Sequence, residues 1–281
     1  MMFCLSRALL VLTLALNLSA CNFFDDEPIR VGFLGTLSGP NNFLGTSARD
    51  GALLAVAEAN QQGGINGRLV ELVIRDDRYN QAQAQQALSE LIKEDVVSVI
   101  GPMTSEIATS INEIANQHQT VLISPVVSTQ ELAEKDDYFM RLYPTAAEGT
   151  VKIAHFAYND RLLESFTIVY DMTNASFSLS WLENFKQDYL KVGGSIAAQI
   201  PFESQKKETS YLELAQRIKA SGSQGLLILA NPFSTAMICQ NLDKINAELE
   251  RYATEWSYGP DLIQYGGRGI NQLMLFKTYF K

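Results

Sequence analysis

Two hydroxyl-rich turns stand at equivalent places in the sequence, each between a short apolar run and a helical pattern. Thr104 and Ser105 follow the run VVSVI, and Ser128 and Thr129 follow the run VLI. The N-terminus of a helix offers free backbone N–H groups and the positive end of the helix dipole, so hydroxyls placed there can help to bind a carboxylate. Ser and Thr are also preferred helix N-caps, and capping alone would account for these residues. Both interpretations stay open at this level.

Patterns for catalysis or metal binding are sparse. The two histidines, His118 and His155, are far apart in the chain, and we expect them to be core or surface residues. Ser38 lies in LSGP rather than in the GxSxG turn of hydrolases, and the glycines near it match neither a phosphate-binding loop nor a dinucleotide fingerprint. Asp76 and Asp77 lack further metal ligands nearby. We therefore expect no enzymatic activity, no cofactor and no metal site.

Composition and charge narrow the class of protein. The 281 residues are 47% hydrophobic, which is typical of a globular chain and excludes a disordered or collagen-like one. Lys and Arg total 22 against 31 Asp and Glu, giving a net charge of −9. An acidic chain without a Lys/Arg run argues against nucleic acid as a partner. Three cysteines in unrelated contexts imply neither a disulfide framework nor a zinc site, and Cys239 is expected to be a buried apolar thiol.

The first twenty residues are predicted to be a secretory signal peptide. Arg7 is their only charge, an apolar stretch follows at 8–16, and small residues precede Cys21. The apolar stretch is shorter than the ~20 residues that cross a bilayer. The segment LSAC resembles a bacterial lipobox, which implies a lipid on Cys21 and anchorage to a membrane; an incidental cysteine in a secreted protein is the alternative. Residues 21–28 are predicted to be a linker.

From residue 29 onward, short β-branched runs alternate with stretches of helical spacing. The predicted strands are 29–34, 69–74, 96–100, 121–123, 138–142, 166–170, 195–200, 225–230 and 252–256. The predicted helices are 84–92, 107–115, 146–158, 177–191, 211–219 and 235–249. This alternation predicts an α/β fold of right-handed βαβ units with parallel sheets. Ligands of such sheets bind beyond the carboxyl ends of the strands, where the two hydroxyl-rich turns fall.

Several stretches, in their order and spacing, resemble the type I periplasmic solute-binding proteins of the leucine/isoleucine/valine-binding kind, which serve ABC importers. The matching stretches are IRVGFLGTLSGP at 29–40, ARDGALLAVAEANQQGGINGRLVELVIRDD at 48–77, VVSVIGPMTSEIATSINEIA at 96–115, TVLISPVVSTQEL at 120–132, FMRLYPT at 139–145, YDMTNASFSLSWLENF at 170–185 and KVGGSI at 191–196. The resemblance implies two hinged α/β lobes, each a parallel sheet flanked by helices. The first lobe would comprise 29–145 and 257–281, and the second 146–256.

The resemblance also implies residues for an amino-acid ligand held between the lobes. Ser105, with Thr104 beside it, would grip the ligand carboxylate, and so would Ser128, with Thr129 adjacent.

The second lobe would supply the remaining contacts. Phe177 matches a position that is usually Tyr, and it could equally be a core aromatic. Glu255 would receive the ligand ammonium, with Asp171 as a second choice, although an exposed acid at a strand end is an alternative for Glu255. Asn231, at the end of the LLILA strand, is expected to face the cleft.

These implications predict a lipid-anchored extracytoplasmic protein that delivers an amino acid, an amide or a similar small polar solute to an ABC permease. A sensor or scaffold lipoprotein of the cell envelope with the same fold is the alternative. Relatives continue through further elements of the first lobe beyond the point that Lys281 reaches. The sequence is therefore expected to be either a fragment or a protein with a reduced first lobe.

Overall fold

The computed structural model describes residues 27–39 and 41–277, so the predicted signal peptide and Cys21 lie outside the described residues. Within these ranges the strands form two separate parallel sheets with helices against them. The predicted fold class is confirmed. Each strand expected from the sequence has a counterpart, and most differ from it only by a residue or two at their ends.

The first sheet has the strand order β2-β1-β3-β4-β5, and every pairing is parallel. Its strands are β1 (Ile29–Gly35), β2 (Val70–Asp76), β3 (Val99–Ile100), β4 (Leu122–Ser124) and β5 (Phe139–Arg141). Its helices are α1 (Asn42–Gln61), α2 (Gln81–Lys93) and α3 (Ser105–Gln117). The core forms because Leu88 and Leu91 of α2 and Ile107 and Ile111 of α3 share one buried helix face against the sheet.

The second sheet has the order β10-β9-β8-β6-β7, again all parallel. Its strands are β6 (Ser165–Asp171), β7 (Ser195–Phe202), β8 (Gly225–Leu229), β9 (Glu250–Ala253) and β10 (Leu273–Leu275). Its helices are α4 (Ala146–His155), α5 (Ala175–Lys191), α6 (Tyr211–Ala220), α7 (Pro232–Lys244) and α8 (Pro260–Gly266). Strand β8 is buried along its whole length, as its apolar run predicts. Cys239 is buried beside it in the core, as expected.

The described part of the C-terminal segment lies in the second lobe, so the predicted lobe boundaries need correction there. Residues 257–281 were expected to return to the first lobe, but β10 pairs with β9, with Leu273 opposite Arg251. Ile270 and Leu273 pack against the core of the second lobe, and Phe276 contacts Trp181 at 5.8 Å between ring centroids. The described part of this segment therefore extends the second sheet, because its backbone pairs with the free edge of β9 and its apolar side chains pack against the core beside that edge.

One helix also departs from its predicted bounds. The helix expected at 235–249 begins at Pro232 and ends at Lys244. Its N-cap is Asn231, whose side chain accepts a hydrogen bond from the Ser234 N–H, and Pro232 occupies the first position, where its missing N–H costs nothing.

The two lobes touch in this structure. The hydroxyl of Tyr79 donates to the carbonyl oxygen of Thr173 at 3.1 Å, and the N–H of Gln130 donates to Oγ of Ser180 at 3.0 Å. Leu44 of α1 packs against a hydrophobic cluster of the first lobe and also against the core of the second. Among the described residues, no helix combines the length and the hydropathy that a bilayer crossing requires.

Candidate functional site

A cavity of about 170 Å³ lies where the two lobes meet. From the first lobe it is lined by Leu44, Met103, Thr104, Ser105, Val126 and Tyr143. From the second lobe it is lined by Asn174, Phe177, Glu255, Trp256, Tyr258 and Lys277. Most of these residues lie just after the carboxyl ends of parallel strands, which is where α/β sheets bind ligands.

The N-terminus of α3 forms the polar wall on the first-lobe side. Thr104 has the extended backbone of an N-cap, with φ −131° and ψ 150°, yet its side chain caps nothing. Its Oγ1 is buried and has no hydrogen-bond partner among the described residues. Ser105, the first residue of the helix, is buried beside it. Two hydroxyl residues and the end of a helix dipole thus face the cavity, an arrangement that favours an anion.

Gly101 allows the backbone to bring this helix end into place. Its φ is +124°, which residues with a side chain rarely adopt, and a Cβ atom there would lie 2.0 Å from the carbonyl oxygen of Leu34. Its N–H donates to the carbonyl oxygen of Ile123 at 2.8 Å. The turn from β3 into α3 can therefore pass this close to β1 only with glycine at this position.

Glu255 supplies an acid on the second-lobe side. It begins a 3₁₀ turn that follows β9, and both carboxylate oxygens are buried without a hydrogen-bond partner among the described residues. Burial raises the pKa of Glu255 from its ordinary value near 4.5 to about 7. A buried carboxylate is costly unless a cation or donor faces it. The position therefore suits a ligand that carries an ammonium group.

Aromatic rings form the apolar wall. The ring of Phe177 packs edge-on against Trp256 at 5.1 Å and lies tilted against Trp181 at 6.1 Å, measured between centroids. Phe177 is buried, so it serves as a core aromatic and as a lining residue at once. Phe177 has no phenol hydroxyl and offers a ligand apolar surface only.

The structure thus brings Thr104, Ser105, Phe177 and Glu255 to one cavity. Ser128 is not among the lining residues, although its hydroxyl is buried and has no partner among the described residues.

Thr129 and Asn231 do not line this cavity, and both side chains serve local structure. Oγ1 of Thr129 accepts from the Glu131 N–H at 3.2 Å and caps a 3₁₀ turn. Asn231 caps α7 and lines a second cavity, of about 320 Å³, which Asn41 and Phe43 of the first lobe also line. Its expected place at the cleft therefore stays a prediction.

The second choice of acceptor, Asp171, is committed elsewhere. Its Oδ1 accepts from the N–H groups of Thr173 and Ser204, both at 3.0 Å. Asp171 does not line the cavity. It ties the loop after β6 to the loop after β7, which leaves Glu255 as the acid that faces the ligand space.

Sequence reasoning missed several lining residues. Trp256 follows Glu255 directly, and Tyr143 follows β5 in the FMRLYPT stretch, so the rule about strand ends could have found both. Leu44 and Met103 carried no signal, because an apolar residue at the start of a helix or in a loop is usually part of the core.

A larger groove, of about 800 Å³, opens at the opposite end of the second sheet, where Gln224 and Glu250 precede or begin their strands. It lies at the amino ends of the strands, whereas the interlobe cavity combines a buried acid with a helix N-terminus. The interlobe cavity is therefore the better candidate for a ligand site.

A family model described as "Periplasmic binding protein" matches residues 28–281. The chain belongs to this family. Proteins of this family bind solutes outside the cytoplasm.

Known proteins with similar sequences and structures agree with this assignment. The Leu/Ile/Val-binding protein of Escherichia coli is 30% identical over 129 residues, which are 46% of this chain and 35% of that protein. The fold matches the leucine-binding protein LivK of Thermotoga maritima with a TM-score of 0.82 at 18% identity, covering 90% of this chain and 70% of that one. It matches LivJ of Streptococcus pneumoniae, solved with isoleucine, with a TM-score of 0.80 at 21% identity, covering 90% and 72%. The matched stretches span about a third of the length of the curated relatives.

Proposed function

We propose that this chain is the solute-binding component of an ABC importer and holds an amino acid as a zwitterion between its lobes. The observation that carries the proposal is that one end of the cavity favours a cation and the other end favours an anion. Glu255 presents a buried carboxylate with no described partner, and the α3 N-terminus presents Thr104 and Ser105. A zwitterion satisfies both ends at once, and each hydrogen bond to a charged group contributes roughly 1.5–3 kcal/mol.

The lining between the two polar ends supports an aliphatic or small aromatic side chain on the ligand. Leu44, Met103, Val126, Phe177 and Trp256 offer apolar surface there. The cavity of about 170 Å³ is well below the size of pockets for drug-sized molecules and suits a single amino acid. The structural neighbour from Streptococcus pneumoniae was solved with isoleucine.

A screen of melting temperature tests the ligand class, because a ligand that binds only the native state raises the midpoint. L-leucine, L-isoleucine and L-valine should raise it, and isovalerate and isopentylamine, which each carry one half of the zwitterion, should raise it less. Polar amino acids, acetamide and urea complete the screen. A midpoint that none of these compounds shifts would contradict the proposal.

Ser105→Ala should weaken the binding of L-leucine several-fold without lowering the melting temperature of the free protein. Ser110→Ala is the matched control, because Ser110 lies on the same helix and its hydroxyl donates to the Ile107 carbonyl away from the cavity. Equal affinities of the two variants in calorimetry would remove Ser105 from the site.

The proposal includes a lipid anchor on Cys21, which rests on the lipobox-like LSAC segment. Cys21→Ser should release the protein from membranes or leave its precursor uncleaved, whereas Cys4→Ser, inside the predicted signal peptide, should change neither. A Cys21→Ser variant that still fractionates as a mature membrane protein would refute the anchor.

A further inference from the structure

Helices α3 and α5 meet end to end across the two lobes, and neither is capped by its own N-cap residue. The N-cap of α3 is Thr104 and that of α5 is Asn174, and neither side chain bonds to an N–H of its own helix. N-cap side chains usually accept from the second or third N–H of the helix that they begin.

Each helix is capped by the opposite lobe instead. The N–H of Glu106, the second residue of α3, donates to Oδ1 of Asn174 at 3.0 Å. The N–H of Ser176, the second residue of α5, donates to Oε2 of Glu106, also at 3.0 Å. The two bonds are reciprocal, because Glu106 and Asn174 each satisfy a backbone donor that belongs to the other lobe.

Neighbouring contacts hold this pair in place. The side-chain amide of Gln81 donates to Oε1 of Glu106 at 2.6 Å, which fixes the carboxylate from the first lobe. The hydroxyls of Thr109 and Ser176 lie 3.0 Å apart across the lobes. The positive ends of two helix dipoles face each other here, and the negative charge of Glu106 lies between them and offsets their repulsion.

We propose that Glu106 and Asn174 are positioning residues for ligand binding, which hold the lobes closed by exchanging helix caps. The proposal rests on the proposed function only in assuming that the lobes separate to admit a ligand. When the lobes are apart, Thr104 and Asn174 are each free to cap their own helix. When the lobes close, Asn174 takes over the α3 cap, and the Thr104 hydroxyl is left to the cavity. Closure therefore readies a ligand-binding hydroxyl, and the open form remains accessible because each helix can cap itself.

Amide hydrogen exchange in the unliganded protein tests whether the two helices trade their caps when the lobes close. The variants are Glu106→Ala and Asn174→Ala. Glu113→Ala on the exposed face of α3 and Asn184→Ala on α5 are the matched controls, since these side chains bond within their own helices. Glu106→Gln keeps an acceptor for the Ser176 N–H and serves as the conservative variant.

If Glu106 and Asn174 together hold the lobes closed, the loss of either side chain should speed exchange at both capped amides. Glu106→Ala should speed exchange at two amides, because the closed form is depopulated. One is the N–H of residue 106, which Asn174 could still cap, and the other is the N–H of Ser176. Asn174→Ala should likewise speed exchange at Ser176, by about tenfold if one cap of ordinary strength is lost. Glu106→Gln should largely restore the protection of Ser176. If each variant exposes only the amide that lost its own cap, the residues are independent caps and the proposal is wrong.

Binding of L-leucine provides the second arm. Both alanine variants should weaken it several-fold, because the apparent affinity falls with the fraction of closed protein, and the two controls should leave it unchanged. If each variant speeds exchange at both capped amides but the protein does not bind leucine, the role of Glu106 and Asn174 in closure stands and the proposed ligand is wrong. If leucine binds both variants with unchanged affinity, and each variant speeds exchange only at the amide that lost its own cap, the role of Glu106 and Asn174 in closure is wrong and the proposed ligand stands.

Discussion

At the scale of a single residue, Glu255 makes the stability of this protein depend on pH. Its carboxylate is buried without a described partner, and its pKa rises to about 7. The folded protein therefore holds a proton on Glu255 at pH values where the unfolded chain has released it. Stability from this group is present below pH 4.5 and is lost as the pH rises through about 7.

We predict that Glu255→Gln stabilises the unliganded protein at pH 8 and has little effect near pH 4. The gain at pH 8 should be on the order of 3 kcal/mol, since the pKa rises from 4.5 to about 7 and one pKa unit corresponds to about 1.4 kcal/mol. Urea unfolding followed by tryptophan fluorescence measures it. Leucine binding should be lost in the same variant, because the neutral amide cannot balance an ammonium group.

Glu250, at the other end of β9, provides a control for which the expected change in stability has the opposite sign. The hydrogen bond from Arg161 lowers the pKa of Glu250, so its contribution is present above pH 4.5 and lost in acid. Glu250→Gln should therefore lower stability at pH 8 by up to about 1 kcal/mol, since the pair is partly exposed. If Glu255→Gln and Glu250→Gln shift stability in the same direction at pH 8, the assignment of Glu255 as a buried unpaired acid fails.

The sequence could indicate the chemistry of the site at this scale but not all of its members. Ser105, Thr104 and Glu255 follow strands, and the strand-end rule finds such residues. Thr129 and Asn231 follow strands too, but their side chains cap a 3₁₀ turn and helix α7, a use that the same residue types serve equally well. The cross-lobe role of Glu106 and Asn174 depends on how two distant helices meet, which no local pattern encodes.

At the scale of elements, Gly101 determines how β3 leads into α3. We predict that Gly101→Ala destabilises the first lobe by more than ~2 kcal/mol and weakens leucine binding, because a side chain here meets both an unfavourable φ and the Leu34 carbonyl. Thermal unfolding and calorimetry measure the two effects.

Gly51→Ala is the matched control for this prediction. Gly51 lies inside α1 with open space around its Cβ position, so alanine should stabilise the helix by about 0.5–1 kcal/mol. A Gly101→Ala variant as stable as Gly51→Ala would contradict the role given to the turn.

The elements themselves were largely predictable, because periodicity reports which face of a segment is buried. Helix α3 shows this well, since Ile107, Ile111 and Ala115 form its buried face. Strand β10 was missed because Leu273–Leu275 is short and partly exposed, and its place beside β9 depends on a free sheet edge that no local pattern reports.

At the scale of the whole molecule, both tryptophans belong to the second lobe, and one of them lines the interlobe cavity. We predict that L-leucine changes the tryptophan emission mainly through Trp256. Trp181→Phe should keep the response and Trp256→Phe should lose most of it, although both variants still bind in calorimetry. An undiminished response in Trp256→Phe would place the ligand elsewhere.

Leu44 belongs to two hydrophobic clusters, one in each lobe. Separation of the lobes must therefore hydrate apolar surface that closure removes from water. Closure of this protein then carries a negative heat-capacity change of its own, in addition to that of the ligand, and its enthalpy becomes more favourable on warming.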